Sequence, residues 1–79
     1  MQDLQQIRSG IEQNLGRRVY LKTHRGRSRS VESEGILENS FPSVFTVLVQ
    51  QGKRERRISY AYSDLFTRHL ELRWLDEPQ

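Results

Sequence analysis

The chain has 79 residues, of which 34% are hydrophobic and 29% charged, with no cysteine and a formal net charge of +3. That length holds one domain, residues 1–79, and leaves no room for a second core. The missing cysteines exclude disulfides and thiolate metal sites, so a closed sheet or a partner subunit is the expected source of stability for so small a core. No apolar run approaches the roughly 18 residues of a membrane span and no charged-then-apolar leader opens the chain, which predicts a cytoplasmic protein with no membrane contact.

Asp3 is a good N-cap, and Gln6 stands where a capping box wants Glu or Gln, so a helix is predicted over about residues 3–15. Leu4, Ile7, Ile11 and Leu15 form its apolar stripe, Gly10 is read as a contact point with the sheet, and Gly16 as the left-handed cap. From about 18 to 25, Val19, Leu21 and Thr23 alternate with Tyr20, Lys22 and His24, a strand whose second side is basic and partly aromatic. Arg25-Gly26-Arg27-Ser28-Arg29-Ser30 has nothing to bury and is predicted to be an exposed hairpin loop. A second strand over about 29–38 puts Glu32 and Glu34 opposite in sense to Val31, Ser33, Gly35 and Leu37, with Gly35 supplying a sharp bend.

Asn39 to Ser43 supplies turn residues, and Pro42 biases Phe41 toward extended geometry. Over about 44–50 every residue up to Val49 except Thr46 is apolar, which suits a strand covered on both faces. Gln50 to Arg56 reads as a hairpin loop somewhat longer than minimal, and a strand over about 56–62 places Ile58, Tyr60 and Tyr62 on one side. Ser63 to Thr67 is a short connection, a single helical turn capped by Ser63, before a last strand over about 69–75 with Leu70, Leu72 and Trp74 on one face. Asp76 to Gln79 reads as a frayed tail.

Three colinear blocks resemble the Veg family of small bacterial proteins. They are Asn14-Leu15-Gly16-Arg17-Arg18 with Leu21-Lys22; Gly35-Ile36-Leu37 followed by Phe41-Pro42-Ser43-Val44-Phe45; and Ser59-Tyr60-Ala61-Tyr62-Ser63-Asp64 leading to Glu71-Leu72. The chain departs from the family pattern in the basic loop, where Arg25-Gly26-Arg27-Ser28-Arg29 replaces a Gly-Gly-Arg-basic run while keeping the charge. The resemblance implies a mainly β fold, a small, strongly bent five-stranded barrel of SH3-like or Sm-like type with an N-terminal α-helix. It also implies a regulatory protein linked to the stimulation of biofilm formation, acting by opposing a DNA-binding repressor, with no catalytic residues to carry over.

The residues themselves support two classes of function. Arg17, Arg18, Lys22, Arg25, Arg27 and Arg29, with Lys53, Arg54, Arg56 and Arg57 as a second wall, are the candidate contacts for RNA or single-stranded DNA, and Tyr20 is placed to stack on bases. Alternatively these are solvated charges, with Arg27 and Arg29 paired to Glu32 or Glu34. The other class is a protein-interaction module. Edge strands carrying Val49 or Leu72 would join a neighbouring sheet, in a homo-oligomer or with a regulator, and Tyr62 or Phe66 would serve as an anchor unless each belongs to the core. His24 and His69 are the only histidines and form no metal-spaced cluster, so no enzyme, cofactor, metal or small-molecule substrate is expected.

Overall fold

The computed structural model describes residues 3–26 and 28–75. Their order is helix α1 (Leu4–Glu12), strands β1 (Arg18–His24), β2 (Ser30–Ser40), β3 (Val44–Gln51) and β4 (Arg54–Ala61), helix α2 (Tyr62–Phe66) and strand β5 (Leu70–Trp74). The strands form one antiparallel sheet in the order β4-β3-β2-β1-β5. The mainly β class, the five strands and the N-terminal helix are as expected. The sheet is open, since no ladder joins β4 to β5 among the described residues. The tail from Asp76 onward lies outside the described residues.

The capping box forms as read: the Gln6 N–H donates to Asp3 Oδ1 at 2.9 Å and the Asp3 N–H to Gln6 Oε1 at 3.1 Å. The helix is shorter than predicted, ending at Glu12 with residues 13–16 in turns, so Leu15 leaves the stripe and is 41% exposed, as Leu4 is at 45%. Gly16 has the expected left-handed backbone, with φ of +92°. Its N–H donates to the Leu37 carbonyl at 2.8 Å and the Leu37 N–H to the Arg17 carbonyl at 3.0 Å, which carries the chain directly into the β1–β2 ladder.

Gly10 is not a contact with the sheet. No heavy atom lies within 4 Å of where its Cβ would be. Replacing Gly10 with Ala is therefore expected to stabilise the fold by about 1 kcal/mol through helix propensity alone. For a domain of this size that is a rise of about 4–8 °C in Tm, read by thermal unfolding. An unchanged or lower Tm would contradict the open space.

The core lies on one face of the sheet, where Val19, Leu21, Leu37, Phe45, Val47, Val49 and Leu70 are buried beneath Ile11 of α1 and Tyr62 of α2. This inner face follows from register: Leu21 opposes Leu72, Gly35 opposes Val49, Leu37 opposes Val47 and Phe45 opposes Tyr60. The ladder irregularity lies beyond Gly35, which itself stays in register with both Val19 and Val49. At Gly35 a side chain would meet the Leu48 carbonyl, so the absence of one lets the β2 backbone press against β3. A bulge between Leu37 and Asn39 follows it and turns Glu38 outward.

The β3–β4 connection differs from the expected longer loop. Gln51 opposes Arg54, leaving only Gly52 and Lys53 in the turn, and Gly52 takes φ of +63°. Such a two-residue turn matches the twist of its strands, so the ladder runs to the tip and Arg54, Glu55 and Arg56 are strand residues. Helix α2 starts from Ala61 with no side-chain cap, so Ser63 does not cap it.

Candidate interaction surfaces

The ladder sorts the charges by face. Tyr20 opposes Glu34 and Arg73, and Lys22 lies between Glu32 and Glu71, so these residues share the outer face of the sheet. Tyr20 donates its hydroxyl to Glu32, which raises the Tyr20 pKa, chiefly through that bond. His24 meets Glu71 Oε2 at 2.6 Å, and this hydrogen bond is the main cause that holds the Glu71 carboxyl below its usual range. Arg57 grips Glu38 with two nitrogens, the second at 2.9 Å from Oε2, and the buried Thr46 hydroxyl donates to Glu38 Oε1 at 3.4 Å. This arrangement shields the outer side of β3 in the absence of a second layer.

The Glu38 carboxyl is lowered first by the Arg57 hydrogen bond, against an opposing contribution from burial. A carboxylate whose pKa is lower in the folded chain stabilises it above the unfolded value and loses that contribution as pH falls through the folded one. Stability is therefore expected to fall on acidification below about pH 4.5, and Glu38→Gln to flatten that part of the profile. Urea midpoints at about pH 6 and about pH 3 check both.

The ten predicted cationic contacts do not form one surface. Arg18, Lys22 and Arg57 lie on the outer face, where carboxylates alternate with them. Arg17 precedes β1 and lies with its guanidinium 4.6 Å from the Trp74 ring centroid while donating to Asn14 Oδ1 at 2.8 Å. Lys53 is in the β3–β4 turn, and Arg27 lies outside the described residues. Arg25, Arg29, Arg54 and Arg56 follow the inner-face parity of Thr23, Val31 and Ile58, away from every strand carboxylate. The charge of Arg25 reaches Tyr60, whose pKa is raised mainly by burial and is pulled back by the Ser33 hydroxyl and by Arg25.

Of the two proposed aromatic anchors, Tyr62 belongs to the core. It is 3% exposed, its ring centroid is 5.4 Å from that of Phe45, and its hydroxyl lies 2.5 Å from Ser40 Oγ. The cause is that Tyr62 opens α2 and turns inward over the sheet instead of ending a strand. Phe66 is 51% exposed and available.

A groove of about 510 Å³ escaped the sequence reading. It runs between α1 and β5, lined by Ile7, Gly10, Ile11, Leu72, Trp74 and, at its rim, Arg68 and Arg73, among others. Its one visible signal was the glycine inside the helix.

The family model described as biofilm formation stimulator VEG matches residues 2–73. The chain belongs to the Veg family. No curated protein matches it. For this Veg chain the matched region includes both helices and nearly all of the sheet. No helix among the described residues is long and apolar enough to cross a membrane.

Proposed function

We propose that this Veg-family chain is a non-enzymatic cytoplasmic regulator that promotes biofilm formation by contact with another protein, and that it does so by opposing a DNA-binding repressor. The observation that carries this reading is the interleaving of carboxylates with cations on the outer face, above all Lys22 between Glu32 and Glu71. A track for phosphates needs cations whose charge is not already offset. Mixed charge of this kind suits the rim of a protein interface, with apolar groups such as Phe66 supplying buried area. The test is a crosslinked pull-down of the chain from cells, with and without nuclease. Recovery that resists nuclease is expected, and recovery abolished by nuclease would overturn the reading.

A second reading is favoured by Arg25, Arg29, Arg54 and Arg56, which share the face parity away from the strand carboxylates, with the charge of Arg25 felt at Tyr60. This group is suited to a single-stranded nucleic acid, with the arginines on phosphates and Tyr60 beside a base. If all four engage phosphates, log affinity should fall with log salt at a slope of about −3. Alanine at Arg25 and Arg56 should shrink the slope, and no binding of an oligonucleotide at low salt removes this reading.

A further inference from the structure

The two edges of the sheet are built differently. Strand β4 carries Arg54, Glu55, Arg56 and Arg57 in succession, a run of charge that discourages a further strand. Strand β5 has no such run, its Glu71 and Arg73 alternating with Leu70, Leu72 and Trp74. The His24 N–H donates to the His69 carbonyl at 2.9 Å and the Leu75 N–H to the Arg18 carbonyl at 3.0 Å, so His69, Glu71, Arg73 and Leu75 bond to β1. Antiparallel alternation then turns the N–H and C=O groups of Leu70, Leu72 and Trp74 toward the free edge. No hydrogen bond among the described residues engages them.

The groove lies alongside this edge, and Gly10 leaves open space in its helical wall. Arg68 and Arg73 are the cations that line it, while Glu71, the one carboxylate among the lining residues, is held by His24 at 2.6 Å. Arg68 has φ of 67°, a left-handed conformation that favours glycine, at the turn where α2 gives way to β5. The arginine at this position places a cation at the groove.

We propose that β5 and the groove receive an extended acidic segment of a partner protein as a sixth strand, with alternate apolar side chains pointing into the space beside Gly10 and carboxylates meeting Arg68 and Arg73. Main-chain bonding to Leu70, Leu72 and Trp74 gives the affinity, and the apolar and cationic positions give the selectivity. This rests on the protein-contact reading and names the chemistry of the partner segment.

The probe is a display library of random dodecapeptides selected on the full chain. Enriched peptides should alternate Val, Ile or aromatic residues with Asp or Glu and lack proline. The best of them, made synthetically, should slow amide exchange at Leu72 and Trp74, bind at least tenfold more weakly to Gly10→Leu, and bind severalfold more weakly to Arg68→Gly. Both variants are compatible with the fold, since the Gly10 position is open and glycine is at ease at the backbone of Arg68. No enrichment, enrichment of basic or proline-rich peptides, or binding indifferent to Gly10→Leu overturns the proposal, as does sedimentation of the free chain as a dimer that Gly10→Leu dissolves. If the Gly10→Leu chain still recovers nuclease-resistant partners from cells, the groove fails while the protein-contact reading stands.

Discussion

Gly35→Ala is expected to cost the fold about 3 kcal/mol or more. The added methyl would fall on the Leu48 carbonyl oxygen, 2.8 Å from Val47 Cγ1 and 2.9 Å from the Leu48 carbonyl carbon. A side-chain obstacle can rotate away, but the chief obstacle here is the backbone of the adjacent strand. Relief requires β2 and β3 to part where Gly35 opposes Val49 and Ile36 opposes Leu48. Overpacking in a core costs about 1–3 kcal/mol, and a clash with backbone belongs at or above the top of that range. Small domains have only about 5–15 kcal/mol of stability, and this one sits among the smallest. Circular dichroism and urea unfolding of Gly35→Ala read the loss as a lower midpoint, and Gly35→Val should lower it further. An alanine variant with the parent's midpoint would contradict the close approach of the two strands.

Phe45→Ala is expected to cost about 3–5 kcal/mol, the usual range for removing a buried aromatic ring. Phe45 is fully buried, its ring centroid lies 5.7 Å from that of Tyr60 and 5.4 Å from that of Tyr62, and it occupies the place where β3, β4 and α2 meet. Truncation opens a cavity among rings already fixed by their ladder and by the Ser40 hydroxyl, so little collapse can fill it. The urea midpoint should drop steeply with the slope unchanged. Phe66→Ala, by contrast, removes an exposed ring and should alter stability by no more than about 0.5 kcal/mol. A Phe45→Ala loss under about 1 kcal/mol would remove Phe45 from the centre of the core.

The contrast between these phenylalanines marks where a linear reading stops. Phe45 stands in an apolar run with strand periodicity, and its burial was legible from its neighbours. Tyr62 has the same period with Ile58 and Tyr60 and is buried for another reason, since the chain turns into α2 at that residue. Gly10 was conspicuous but misread: the penalty of a helical glycine shows in sequence, whereas the empty space beside it depends on where β5 passes. The basic residues were equally visible, yet their partners were not. Glu32 and Glu71 offset Lys22 across ladders that join residues far apart in the chain.

The amino-acid order by itself determined the capped helix, the positions of the five strands and the family, because these depend on local backbone preference and on side-chain periodicity. Only the tertiary structure decided that Arg25, Arg29, Arg54 and Arg56 lie away from the strand carboxylates, that Tyr62 is core, and that β5 has an open groove at its edge. The physical reason is register. A strand fixes which residues share its faces, but which charges meet, and which edge goes unpaired, is set by the strand alongside it.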